Sequence, residues 1–456
     1  MNTFDADGYT ARLHELAAAY DVPGAVVGVF AEEQTATTAT GVLNRLTGVD
    51  ASTDSLFQIG SITKVWTAAL ILTLVDDDRL SLTDPVIRHV PELTLVDERS
   101  TRELTVGHLL NHTSGLPGDW FPDTGRGDDC LARLVTLLAD QPLTHPVGGL
   151  TSYSNAAFSV AGHVVERMLD VTWDAALRDR IIKPLGLEHC VTLPEDALLH
   201  RTAVGHLDRG SAQQPAPMWQ LPRACGPAGL ICASVGDVLT FGRLFIAGTT
   251  PTVLSPAALT TMTTQTSSLP VAASSAIGFG LGWGLADWHG HRVLAHDGGT
   301  IGQAAAIRVL PTDGVVIVLL TNGGDWIDFR DSVLRDVMTE VDGPTPPPPP
   351  TPPDELRNYD PAEYVGVYRR PGVDIHVRST GDGLTLQTAV NDPYERLAVG
   401  DETPRPLVAT DTDTFLLRQT ETRAEWLPVT FLRTAGDAVD YVHASGRAAR
   451  RHDDCR

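Results

Sequence analysis

The stretch Gly60-Ser61-Ile62-Thr63-Lys64, with the apolar run Val65-Trp66-Thr67-Ala68-Ala69-Leu70 continuing from it, decides how this chain is read. The pattern predicts a helix over residues 61–75, and residues three apart on a helix share a face. The Ser61 hydroxyl and the Lys64 amine then point the same way. A serine hydroxyl is a poor nucleophile until a neighbouring base takes its proton, and a lysine amine held neutral can be that base. Desolvation or a nearby cation lowers a lysine pKa toward the task. A solvated helix start with a serine cap produces the same spacing, so the remaining sequence has to decide.

The chain of 456 residues exceeds the usual size of one domain and predicts two. It is 42% hydrophobic and 20% charged, enough apolar material for a sizeable core, with a formal net charge of -23. That acidity excludes a general nucleic-acid partner, which needs basic surface for phosphates. The first twenty residues read as an amphipathic helix without a basic start or an apolar core. The run Ala25-Val26-Val27-Gly28-Val29-Phe30 is strand-sized, and nothing reaches the length of a membrane span. The expectation is a cytoplasmic protein without a membrane partner. Five scattered cysteines (Cys130, Cys190, Cys225, Cys232 and Cys455) have no metal-ligand spacing and are read as reduced. No cofactor is expected.

Between Pro344 and Pro353 eight of ten positions are proline. Such a tract forms neither a helix interior nor a paired central strand, and behaves as a stiff spacer. It divides the chain into a catalytic region over 9–340, a linker over 341–355 and a small β domain over 356–446. The first region is read as α+β: strands near 25–30, 56–59, 307–310 and 315–321, with helices near 130–139, 156–168, 173–182 and 235–246 between them. Strands at both ends of a helical middle suit one antiparallel sheet shared by the two ends. Pro311-Thr312-Asp313-Gly314 is a hairpin turn. Beyond the prolines, strand candidates at 364–368, 374–378, 384–388, 414–417 and 439–443 suit a small barrel or sandwich. That domain carries no catalytic constellation of its own; it shapes the substrate entrance, forms an interface or stabilises the first domain.

Three further segments bear on Ser61 and Lys64. In Thr151-Ser152-Tyr153-Ser154-Asn155, the tyrosine is either a structural phenol or a proton exchanger near a cation. Asn155 is either a helix cap or a group that orients Lys64 and holds a substrate carbonyl. In His296-Asp297-Gly298-Gly299, the glycines let an acyl group approach the backbone, with His296 beside it. The same residues also read as a polar strand end followed by a turn. The run from Leu109 to Pro117 is site scaffolding, with polar side chains bonding the local backbone. Trp283, in Gly280-Leu281-Gly282-Trp283, either lines a pocket or packs in the core.

On these motifs, residues 9–335 resemble the serine β-lactamase/penicillin-binding-protein superfamily, in its class C and D-peptidase-like branch. The family's Ser-x-x-Lys matches Ser61–Lys64, its Tyr-x-Asn matches Tyr153–Asn155, and its third motif, His-x-Gly in esterase-like branches, matches His296–Gly298. The C-terminal region resembles the lipocalin-like barrel of some relatives. The resemblance implies Ser61 as nucleophile, Lys64 and Tyr153 sharing acid/base work, and Asn155 supporting the site and holding substrate. It also implies an oxyanion hole from the Ser61 and Gly299 amides, His296 beside the reacting atoms, and substrate contacts from Gly298, Gly299 and Trp283. Fixed amides at a helix start favour charge developing on oxygen. The reaction implied passes through an acyl-Ser61 ester, resolved by water or by an amine.

His296 departs from the lysine usual at that position in penicillin-directed relatives. A histidine carries a less assured charge near neutral pH, which argues against efficient β-lactam hydrolysis. Stand-alone peptide cyclases of nonribosomal assembly lines share the two-domain layout, and this resemblance points to transfer of an acyl or peptidyl group, presented on a carrier protein, to an amine. Hydrolysis by an esterase or D-amino-acid peptidase is the first alternative. A non-catalytic binding protein of the same fold is the second.

Overall fold

The strand Gly24–Ala31 is buried at every position, as an apolar run rich in valine between two covered faces must be. It pairs antiparallel with Gln34–Asn44 on one side and Val315–Thr321 on the other. The two ends of the catalytic region therefore meet at the centre of one sheet. From edge to edge its nine strands are Val49–Asp50, Gln34–Asn44, Gly24–Ala31, Val315–Thr321, Ala304–Leu310, His291–Gly299, Gly284–Trp288, Ala276–Phe279 and Ser267–Ser268. The proline-led turn sits where expected, closing the hairpin in which Leu310 faces Val315. The computed structural model describes residues 1–208, 213–249, 252–270, 276–355, 357–381, 383–398, 403–418 and 426–452.

Alternation along the strands sorts the sheet's two faces. Ala25, Val27, Val29, Ile317 and Leu319 pack against the helices Ala6–Ala19 and Trp326–Glu340. Val26, Phe30, Ile307, Val316 and Val318 turn to the opposite side, into a core shared with Val235–Gly242 and the helical region. At the centre of that region lies the helix Thr63–Asp76, buried from Thr63 through Leu74. A helix apolar all round belongs inside a core, and Trp66 stacks on Phe241 with ring centroids 4.0 Å apart. The expected single helix from residue 61 is in fact a 3-10 turn, Gly60–Ile62, followed by the α-helix.

No helix or strand lies between the helix Trp326–Glu340 and the turn Pro361–Glu363 among the described residues, which leaves the proline tract as connecting chain. The C-terminal region is a closed antiparallel barrel of eight strands. Tyr368, Ile375, Leu386, Phe415, Phe431 and Val442 fill it. Three of its strands, Arg405–Asp411, Trp426–Leu432 and Arg447–His452, were not singled out from the sequence. The last runs past the expected domain end at 446. Its arginine-rich sequence hides a strand whose Ala448 and Ala449 alone are buried. Cys130, Cys190, Cys225 and Cys232 are free and buried; Cys455 lies outside the described residues. Among the described residues no helix is long and apolar enough to cross a membrane.

The stacked core of the Thr63–Asp76 helix gives the first prediction. Trp66→Ala should lower the unfolding free energy by about 3–5 kcal/mol through the cavity it leaves, read as a lower denaturant midpoint at unchanged slope.

Candidate active site

Ser61 sits in the turn that feeds the buried helix, and its backbone lies against the end of the strand His291–Gly299. The approach is close enough to demand glycine on both sides. Gly60 has φ +53°, and a Cβ there would come within 2.5 Å of the Gly299 nitrogen. A Cβ on Gly298 would lie 1.9 Å from the Ile59 carbonyl oxygen. Gly298 is thus a packing contact against the turn, whereas Gly299 opens onto the cavity beside Ser61. The Ser61 and Gly299 amides come from two elements that these glycines allow to touch.

Lys64 is fully buried, and its Nζ is 3.0 Å from Ser61 Oγ, 2.7 Å from Asn155 Oδ1 and 2.6 Å from the Ala228 carbonyl oxygen. The amide and carbonyl oxygens can only accept, so two Nζ–H bonds go to them. The third direction faces the serine and holds either a proton or the lone pair. Burial pushes the Lys64 pKa well below its usual value, and the Arg447 guanidinium pushes it the same way. A depressed lysine pKa leaves the lone pair free to take the Ser61 proton. Asn155 is held in turn by its Nδ2, which donates to the Gly118 carbonyl at 2.6 Å.

Tyr153 sits just before the helix Asn155–Leu169. Its ring stacks on His112 at 4.3 Å between centroids, and Lys64 Nζ lies 4.9 Å from the ring centroid. Burial raises the phenol pKa, while the Ser61 hydroxyl and the Arg447 guanidinium pull it back. His112, in the loop read as scaffolding, adopts φ +63° and accepts from the Ser154 amide through Nδ1 at 3.2 Å. The loop thereby fixes both the ring and the backbone of the tyrosine motif.

His296 is buried, 6.2 Å from the Tyr153 ring between centroids. Its Nδ1–H donates to the Asp297 carbonyl at 2.7 Å, and Nε2 has no hydrogen-bond partner among the described residues. Burial and the Lys64 charge push its pKa down to about 4. Near neutral pH the ring is therefore uncharged, with an acceptor lone pair on Nε2. Asp297 turns away to Arg308 at 2.7 Å and Arg330 at 2.5 Å, which hold its carboxyl well below the usual carboxylate range. Trp283 corrects the pocket expectation: it is buried against Phe245, with centroids 5.1 Å apart, and does not line the cavity. Its large ring fills the core instead.

The sequence did not show that the barrel reaches into this site. Its last hairpin, Tyr441–Ala444 and Arg447–His452, turns through Ser445 and Gly446, both at positive φ. The Gly446 carbonyl accepts from the Tyr153 amide at 2.9 Å, and Ser152 Oγ accepts from the Ala448 amide at 3.0 Å. Arg447 lies over the Tyr153 ring, its guanidinium carbon 4.8 Å from the centroid. Asp119 of the catalytic domain, 2% exposed, takes Arg447 at 2.9 Å and Arg370 at 2.8 Å. The Ser445-Gly446 pair is a turn signal the sequence did carry, although the arginine-rich strand after it shows no alternation. Nothing local indicates that Arg447 meets Tyr153.

A cavity of about 750 Å³ opens over Ser61, Asn155 and Gly299 and runs to the barrel mouth, where Ile375, Leu386 and Val429 line it. The structure thus gathers Ser61, Lys64, Tyr153, Asn155, His296 and Gly299 at one place and leaves Trp283 outside. Arg447, Arg370 and Asp119 join the site unannounced.

A buried lysine amine between a half-buried serine and tyrosine, beside a glycine-lined backbone edge, defines a serine acyl-enzyme site. The Beta-lactamase family model matches residues 10–338, and the chain belongs to that family, within the β-lactamase/penicillin-binding-protein superfamily of serine hydrolases and acyltransferases acting on acyl and peptide substrates. Penicillin-binding protein 4 of Amycolatopsis lactamdurans is 41% identical over 376 residues, 81% of this chain and 99% of that protein. The unguisins hydrolase ungD' of Aspergillus campestris is 28% identical over 66% of this chain, which spans 59% of the hydrolase. The crystal structure of SurE superposes with a TM-score of 0.80 at 24% identity, over 98% of this chain and 99% of that one, so the two share the fold over nearly their whole lengths.

Asp119→Asn should weaken the joint between the domains. Removing one partner of a buried ion cluster costs about 3–5 kcal/mol, and thermal unfolding should show the loss. A melting curve identical to wild type would show that the guanidiniums do not depend on this carboxylate.

Proposed function

We propose that this chain is a serine acyltransferase of the class C-like branch, which takes an acyl or peptidyl group onto Ser61 and passes it to an amine, intramolecular closure of a peptide included. The observation that carries the reading is the desolvated Lys64 amine, its other bonds committed to Asn155 and Ala228, directed at Ser61 Oγ. Lys64 takes the Ser61 proton as Oγ attacks the donor carbonyl. The Ser61 and Gly299 amides stabilise the oxyanion, and Tyr153 returns a proton to the leaving group. The acyl-Ser61 ester then receives the amine, and the protons travel back through the same pair to Oγ.

A neutral His296 offers no fixed cation to a β-lactam carboxylate, which supports a substrate other than penicillin. The apolar barrel mouth next to Ser61 suits a bulky acyl or peptide chain, with a carrier-bound thioester as donor. Hydrolysis of the same acyl-enzyme is the second reading, favoured by the name of the unguisins hydrolase relative.

A peptide thioester bearing a free amine separates the readings by mass. Cyclised or amidated product lacks added water; the free acid contains it. Ser61→Ala should form no covalent adduct by intact-protein mass while keeping its fold, and an adduct on the variant would remove Ser61 from the nucleophile's role. Lys64→Ala should slow acylation by about 10²–10⁴-fold. The wild-type acylation rate should fall with decreasing pH as Lys64 protonates, because a group that acts as neutral base is lost below its own pKa. Lys64→Ala should lack that limb in a stopped-flow pH profile.

A further inference from the structure

The barrel contributes a carboxylate to the catalytic cavity that the steps above leave unused. Glu395 belongs to the short helix Pro393–Ala398 and lines the same cavity as Ser61, Arg370 and Arg447. The helix is pinned in place by Asp392. Its Oδ1 accepts from the Tyr394 and Glu395 amides at 2.9 and 3.1 Å, and its Oδ2 accepts from the Phe121 amide of the catalytic domain at 3.0 Å. Glu395 is therefore carried on an element stapled across the domain joint, facing the reacting serine's cavity.

The charges around it select what it can bind. Arg370 and Arg447 face Glu395 from their strands, but their ion pairs go to Asp119. Asp392 spends its oxygens on backbone amides. Among the described residues the Glu395 carboxylate makes no hydrogen bond or ion pair, and it is half-buried in the cavity wall. A sheltered carboxylate without a donor is costly, and a ligand supplying one recovers that cost. Arg447 Nε, though 2.9 Å from Asp119 Oδ1, makes no aligned hydrogen bond, but its charge is matched by that carboxylate. The vacant capacity of Glu395 itself is an acceptor's, and the ligand that matches it is a donor.

We propose that Glu395 is the subsite for the acceptor amine: its carboxylate holds the ammonium group of the incoming nucleophile and takes its first proton. The inference rests on the acyl-transfer reading. The freed amine nitrogen attacks the acyl-Ser61 carbonyl carbon, a C–N bond forms, and the C–Oγ bond breaks. The amine's second proton passes through the Tyr153–Lys64 pair to Oγ, and protonated Glu395 returns its proton to water. Burial raises the Glu395 pKa to about 7, with Asp119 and Asp392 raising it and Arg447 and Arg370 opposing. A carboxyl of that strength can both bind an ammonium ion and accept its proton near neutrality. The apolar barrel mouth beside it fits an amine carrying a hydrophobic body.

Calorimetric titration with phenethylammonium, phenethyl alcohol and 3-phenylpropionate tests this without turnover. Wild type should bind the ammonium at least about tenfold more tightly than the alcohol, the scale of one charge-assisted hydrogen bond. Glu395→Gln should erase the preference. In wild type the ammonium affinity should rise between pH 6 and 8 as Glu395 ionises, while the alcohol's stays level, so the test survives a variant that folds poorly. Equal binding of ammonium and alcohol, a preference kept by Glu395→Gln, tighter binding of the carboxylate at the guanidiniums, or no heat from the ammonium would each overturn the subsite. A chain that binds the ammonium through Glu395 yet yields only free acid from the peptide thioester would sink the acyl-transfer reading and leave the subsite standing.

Discussion

A lysine amine with no access to water must find acceptors inside the protein, and the catalytic half of this molecule is arranged around that requirement. Lys64 takes two of them from places distant in sequence, Asn155 at the start of another helix and the carbonyl of Ala228, and turns its third direction to Ser61 one turn before it. Each acceptor is fixed by something else. Asn155 is tied to Gly118, Thr67 one turn further along the Lys64 helix donates to the Pro227 carbonyl at 2.7 Å, and Gly60 and Gly298 let the sheet edge meet the serine turn. The same burial that depresses the lysine pKa makes the amine a base, so structure and reactivity have one cause.

The barrel acts as a wall of the active site as much as an appended domain. Its last hairpin bonds the Tyr153 backbone, places a guanidinium over the phenol, and anchors on a nearly inaccessible aspartate. Arg447 pushes the pKa values of Lys64 and Tyr153 in the same downward direction. The proton-sharing pair thus feels a charge carried by a domain that follows it by some three hundred residues. With Glu395 on the same wall, the barrel presents both charged and apolar surface to the cavity beside Ser61.

The neutral His296 completes this division. With its Nδ1 committed to the Asp297 carbonyl and Asp297 itself claimed by two arginines, the third motif supplies a lone pair and an open backbone edge in place of a positive charge. Recognition of a substrate anion cannot rest there. Arg308 and Arg330 are committed to Asp297, and of the cations lining the cavity from the barrel, Arg370 and Arg447 are already paired with Asp119.

Local sequence determined a good deal. The Ser-x-x-Lys spacing, the apolar helix after it, the strands that alternate or run apolar, the turn at 311–314 and the proline spacer are short-range patterns, legible because their periodicity and stereochemistry act within a few residues. Tyr153, Asn155 and His296 were legible as candidates, chiefly through their order relative to Ser61. The arginine-rich closing strand of the barrel was not, because its polar residues mask a strand whose partners are supplied by closure. Which candidates enter the cavity was a tertiary decision: Trp283 was claimed by the core, and Arg447, Asp119 and Glu395 were brought to the serine. Desolvation and long-range charge pairing depend on what surrounds a side chain, and only the folded chain sets those surroundings.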